Sequence, residues 1–292
     1  MNRLLRSLAC ITLLAIGGPL AGCSPETSSP PAIVATIAPL AFILRALAGN
    51  EVAVRTLLDP GASPHTYEPR PSDVRAAQSA VVVVYVSSDL DAWATQLPAR
   101  RTLAALDLVP AADRRPLPAS DGESAVDPHF WTDPLTVAAA IPALVDALAG
   151  LDPDHAETYR ANASRFTERL RALHAETAAA LRPLAGRRVV LFHPSFGYLL
   201  GRHGILVAAV VEEFPGKEPT ALDIQRLGQG ARRAGATVVF TEPQLPRRPA
   251  EVLAELAGVR VAELDPLGGG PGRDTYEDLI RHNVRVLVES LR

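Results

Sequence analysis

Four side chains in this sequence have the chemistry and the placement to hold a metal ion. Of its seven histidines, three fall in loops just after predicted strands: His65 in DPGASPHTYEPRPSDV, His129 in VDPHFWTDP and His193 in VVLFHPSFGYLLG. Asp265 holds the matching kind of place in VAELDPLGGG. Three imidazoles and one carboxylate make a suitable four-ligand set for zinc, at about 2.0–2.2 Å per bond. Pro64, Pro128, Pro194 and Pro266 each adjoin one of the four. Proline restricts the local backbone, so the side chains could be held near ligating geometry in advance. Placement alone leaves two readings open, one shared metal site or ordinary loop residues. The remaining histidines, His155, His174, His203 and His282, fall on or beside predicted helices and read as exposed or structural.

Short apolar runs alternating with amphipathic stretches supply the elements that must position these residues. In a first set, strands are predicted at 33–37, 52–58, 80–86 and 103–109, and helices at 40–47, 72–78, 90–97 and 134–148. Asp133 is a good N-cap for the last helix, with proline at its first position. A second set begins at Arg188, with strands at 189–192, 206–211, 237–241 and 259–264 and helices at 196–202, 221–233, 250–257 and 276–291. Continuous apolar strands alternating with helices imply an α/β fold of two lobes with parallel sheets. His65 and His129 follow the second and fourth strands of the first set; His193 and Asp265 follow the first and fourth of the second. Ligands of open α/β sheets bind beyond the carboxyl ends of the strands, so two facing lobes would bring all four to one cleft.

Between the sets, Tyr159, Ala163, Phe166, Leu170, Leu173, Thr177 and Leu181 recur at three- and four-residue steps. That is one buried stripe of a helix, entered through Asp152 and Pro153 and ended by Pro183 and Gly186. At about 1.5 Å per residue it would run on the order of 45 Å, long enough to cross the molecule as one rigid linker helix. The domain organisation expected is an amino-terminal lobe over 32–151, the linker helix over 152–186 and a carboxy-terminal lobe over 187–292.

The amino terminus reads differently. Arg3 and Arg6, an apolar run from Leu8 to Ile16 and small residues before Cys23 have the order of a secretory signal over 1–22. Leu20-Ala21-Gly22-Cys23 resembles the lipobox of bacterial lipoproteins, which would make Cys23 the site of a lipid anchor. SPETSSPP after it is a proline-rich tether over 23–31. The only two cysteines are Cys10 and Cys23, so any metal site in the mature domain uses nitrogen and oxygen ligands. That suits an oxidising, extracytoplasmic compartment on the outer side of a membrane. The formal net charge is −3, and nothing in the composition suggests the basic patch of a nucleic-acid binder.

Taken in order along the chain, PGASPHTYEPRPSDV, DPHFWTDP, FHPSFGYLLGRHGI, GKEPTALDIQRL, FTEPQL and ELDPLGG together resemble the zinc/manganese solute-binding lipoproteins of ABC importers, the cluster A-I family. The resemblance covers nearly all of the mature chain. It implies two lobes joined by a rigid helix, metal ligands at His65, His129, His193 and Asp265, Zn2+ as the cargo with Mn2+ or iron as the alternative, and delivery to a cognate ABC permease in the membrane, with the protein acting as a monomer. Many zinc members carry a long His-rich loop before the second histidine. The segment 112–127 here has acids and no histidine, which puts such a loop in doubt. Manganese members often have glutamate where His193 stands, so its histidine favours zinc. Glu68, Glu213 and Glu242 lie in family-like segments, with supporting and structural roles both open.

Two rival readings are weaker. A zinc hydrolase would want a His-Glu-x-x-His helix or a nucleophile elbow, and neither occurs; no enzyme activity is expected. A binder of a metal chelate would want a broad apolar or basic cleft, whereas aromatic residues make up only 5% of the chain. An added adhesin role is compatible with the transport reading.

Overall fold

Short β-branched runs and the helices between them assemble two parallel four-stranded sheets. The computed structural model describes residues 33–117, 125–212 and 219–292. The expected signal, the tether and Cys23 lie outside them. The first sheet holds β1 (Ile33–Ala35), β2 (Val54–Thr56), β3 (Val82–Tyr85) and β4 (Thr102–Ala104), in the order β2-β1-β3-β4. With them come α1 (Ala38–Ala48) and α2 (Pro71–Ser79). A two-stranded antiparallel hairpin, β5 (Pro116–Leu117) and β6 (Ala125–Val126), follows, and then α3 (Pro134–Leu151) and α4 (Ala156–Leu181). The second sheet holds β7 (Arg188–Leu191), β8 (Leu206–Val210), β9 (Val238–Thr241) and β10 (Arg260–Glu263), in the order β10-β9-β7-β8. Its helices are α5 (Gly197–Arg202), α6 (Ala221–Arg233), α7 (Arg247–Ala257) and α8 (Tyr276–Leu291). Numbered within each lobe, both sheets read second–first–third–fourth. The lobes are therefore two copies of one topology.

Alternation along the strands decides what each face packs against. Ile33, Ala35, Val82 and Val84 point one way, Val189, Leu191, Val238 and Phe240 do the same in the other lobe, and all join one apolar cluster with α1, α3, α4 and α8. Val34 and Val83 point the other way, against α2. Val190, Phe192 and Val239 turn toward α6 and α7. The inner faces thus share a core that runs from one lobe to the other. Tyr159, Phe166, Leu170 and Leu181 of α4 are wholly buried in it, each worth roughly 1.5–3 kcal/mol of transfer free energy.

Helix α4 is continuous over its length, with a 3-10 turn at each end, Pro153–His155 and Arg182–Leu184. It is tied to both lobes. Asn162 donates to the Leu47 carbonyl of α1 at 2.7 Å, while Arg169 pairs with Glu277 and Arg281 with Glu176, joining it to α8.

Three sequence expectations change. The helix expected at 90–97 is a 3-10 turn, Ala92–Gln96. Buried Asp91 takes the N–H groups of Val86 and Ser87 and the hydroxyl of Thr36, which holds the chain in a tight turn. The fourth strand stops at Ala104, where a 3-10 turn at Leu106–Leu108 replaces its second half. His129 accordingly follows the β5–β6 hairpin, which the apolar pattern did not reveal because its strands are two residues each.

Candidate metal centre

Each of the three histidines leaves its element through a braced turn. Pro64, just before His65, is buried, and its carbonyl accepts the indole N–H of Trp93 at 2.8 Å. Beyond His65, Tyr67 packs at a tilt against Trp93 and donates its hydroxyl to Asp73 at 2.6 Å. His129 opens a 3-10 turn, Phe130–Thr132, and Thr132 donates back to its carbonyl at 2.9 Å. His193 leaves the end of β7 into the turn Pro194–Phe196.

These turns bring the three imidazoles together. Their nearest ring nitrogens lie within 4.8 Å of one another, the one group of side chains among the described residues that could hold a metal ion in this way. His129 Nε2 and His193 Nε2, from opposite lobes, are 3.3 Å apart. Two nitrogens bonded to one zinc at about 2.0–2.1 Å in a tetrahedral arrangement stand about 3.3–3.4 Å apart. The pair already has the edge length of such a site.

The other ring nitrogens explain the orientation. His129 Nδ1 lies 2.8 Å from Asp127 Oδ1, which also accepts the His129 backbone N–H at 3.0 Å. His193 Nδ1 lies 3.2 Å from the Glu212 carbonyl oxygen. An acceptor at Nδ1 places the proton there and leaves Nε2 as a lone pair aimed into the cleft. Gly197 allows the carboxylate its position, because a Cβ there would fall 2.6 Å from Asp127 Oδ2. Burial, and then the neighbouring His129, push the His65 pKa down to about 3. Burial, and then His129 and His65, hold His193 well below the usual histidine range. Both imidazoles are neutral at pH 7, the form that ligates a metal.

Asp265 is placed differently. It is buried after β10, yet its carboxylate is not part of the three-histidine group. Oδ1 accepts the N–H groups of Leu267 and Gly268, and Oδ2 lies 3.3 Å from Arg273 Nη1. Its own loop does reach the cleft: Leu267 and Pro266 line it, with Ser195, Glu242 and Gln244.

Glu242, on that wall, is buried and accepts a hydrogen bond from the Ser195 hydroxyl. Burial raises its pKa to about 8 against the opposing Ser195 bond, with Asp265 and Glu212 adding to the rise. Glu68 is exposed, and Glu213 lies outside the described residues. Sequence reasoning passed over Asp127, Gln244 and Arg273. Asp127 had a signal, standing two residues before His129 in DPH. Arg273 had none, since its role depends on how a glycine-rich loop folds back. Of the four histidines read as exposed or structural, His174 and His203 are half-buried and stacked, with ring centres 5.7 Å apart.

Comparisons with known proteins bear on this geometry. The family described as "Zinc-uptake complex component A periplasmic" matches residues 33–290. The "High-affinity zinc uptake system protein ZnuA" of Paracoccus denitrificans is 28% identical, over 91% of this chain and 94% of its own. The "Zinc-binding protein AdcA" of Streptococcus pyogenes is 26% identical over 87% of this chain, which spans only 55% of that longer protein. Among solved structures, FpvC from Pseudomonas aeruginosa in complex with Mn2+ superposes with a TM-score of 0.79 at 26% identity, over 90% of this chain and 99% of its own.

Proposed function

Since the chain belongs to the family of the periplasmic zinc-uptake complex component A, we propose that it captures a divalent transition metal outside the cytoplasm and passes it to an ABC permease in the membrane. The family is one of solute-binding transport proteins. The metal is zinc first, held by His65, His129 and His193, with Asp265 as the fourth ligand. The observation that carries this reading is the 3.3 Å approach of two imidazole Nε2 atoms from opposite lobes, each with its Nδ1 facing an acceptor. Such an arrangement of lone pairs is destabilising without a cation between them. Three nitrogens favour zinc over manganese, which prefers oxygen donors. The test is metal content by mass spectrometry after purification under native conditions, followed by zinc–manganese competition. Zinc at one equivalent supports the reading; a preference for manganese would overturn the choice of metal.

The same reading assigns a signal to 1–22, a lipidated tether to 23–31, lobes to 32–151 and 187–292 and the linker to 152–186, with the protein acting as a monomer. Changing Cys23→Ala is expected to release the protein from the membrane fraction. Retention there would contradict the anchor. A single acyl chain holds only marginally, so stable tethering requires more than one.

A further inference from the structure

Asp265 is the one proposed ligand already engaged by a fixed positive charge. Its Oδ2 lies 3.3 Å from Arg273 Nη1, with side-chain exposures of 5% for the aspartate and 23% for the arginine. Oδ1 meanwhile accepts two N–H groups from its own loop, from Leu267 and Gly268 at 3.0 and 2.9 Å. The loop that carries Arg273 is shaped to present it. Gly269 N–H donates to the Arg273 carbonyl and Arg273 N–H to the Gly270 carbonyl, each at 3.0 Å. Gly268 and Gly269 take φ of +66° and +79°, and a Cβ at Gly270 would fall 2.6 Å from Arg273 Nη2. Glycine suits the left-handed backbone at the first two of these positions. The pairing is nevertheless incomplete, because Arg273 Nε is buried with no hydrogen-bond partner. A guanidinium bound to a carboxylate through its full fork would be hard to displace. One joined through a single arm is easier to exchange.

The cleft and the arginine therefore draw on the same carboxylate. Gln244 stands between them, lining the cleft while its Nε2 lies 3.5 Å from Asp265 Oδ1. Resting on the proposed function, we infer that Arg273 is a positioning residue that competes with the bound metal for Asp265, so that it loosens the fourth ligand and speeds release. Both terms act in one direction. The guanidinium stabilises Asp265 away from the three histidines, and its fixed charge repels a dication that shares the carboxylate. Removing it leaves Oδ2 without its cationic partner and open to the metal. A residue needed only for folding would do the reverse, since losing it would weaken binding.

The test compares zinc affinity, by chelator competition, and zinc release, by stopped-flow transfer to a chelator, for the full chain and its variants. R273Q and R273M are expected to bind zinc about tenfold more tightly, the size of one charge-assisted contact, and to release it correspondingly more slowly. Two variants are used so that failure of one to fold leaves the other as the test. In the D265N background, R273Q is expected to add nothing, because the contested group is gone. Unchanged or weaker zinc binding by both arginine variants would overturn the inference while leaving the proposed function standing, as would equal tightening with and without Asp265. Failure of the wild type to bind zinc would overturn the proposed function and this inference with it.

Discussion

The indole N–H of Trp131 donates to the carbonyl of Pro266 at 2.8 Å, so the residue two beyond His129 is fastened to the residue next to Asp265. Both partners are buried. Tyr276 of α8 donates in turn to the Trp131 carbonyl at 2.8 Å and packs edge-on against Phe166 of α4 at 6.3 Å between centroids. One chain of contacts runs from the linker helix to the histidines. The two walls of the cleft are set by the same packing that joins the lobes.

Changing Trp131→Phe keeps most of the ring and removes the N–H, leaving the Pro266 carbonyl buried without its donor. Such a loss costs about 1–3 kcal/mol. Denaturant unfolding is expected to show a lowered midpoint of this size with an unchanged slope. Unaltered stability would mean that the contact contributes nothing to holding the cleft.

Asp127 makes a prediction of a different kind, because it acts on metal affinity through His129. Asp127→Ala removes the acceptor that fixes the proton on Nδ1, and loss of such outer partners typically weakens metal binding about 10–100-fold. Competition with a zinc chelator measures this directly. Wild-type affinity in a folded D127A protein would show that His129 needs no such orientation.

The stacked pair His174 and His203 links stability to pH. Burial lowers both pKa values, Asp133 opposing and Arg202 assisting, with His174 further lowering His203. Below the ordinary histidine value of 6.5 the unfolded chain binds protons that the folded pair refuses, so the stability of the fold falls as pH falls through that value. His65 and His193 act in the same sense. Glu242 acts in the opposite one. Its pKa rises from 4.5 to about 8, so the folded state keeps a proton that the unfolded state gives up, and its contribution declines as pH rises across that window. The double variant H174Q/H203Q is expected to lose less stability than the wild type between pH 7 and pH 5, read by thermal unfolding. Identical slopes would remove the pair from the account.

Much of this was legible in the residues. The apolar stripe from Tyr159 to Leu181 predicts the linker helix, and the structure carries it as α4. The strands differ from expectation mainly at their ends, where Asp91 and the turn at Leu106–Leu108 interrupt an apolar pattern that hydropathy alone continues. The gathering of the three histidines was legible because each follows an apolar strand or its extension into a proline-marked loop. What the sequence hid were relations across long separations. The acceptor of His193 is a backbone carbonyl 19 residues away, which no side-chain pattern announces. The contact of Asp265 with Arg273 forms across a loop whose Gly268 and Gly269 take positive φ. A local reading sees residue types; it does not see which of two partners a carboxylate faces.

The most direct test of the central claim is the zinc-loaded crystal structure with anomalous scattering recorded at the zinc edge. One strong peak is expected in the cleft between the lobes. It should lie about 2.0–2.1 Å from Nε2 of both His129 and His193 and at bonding distance from His65. A peak bonded to none of the three, or zinc bound only at the surface, would contradict it.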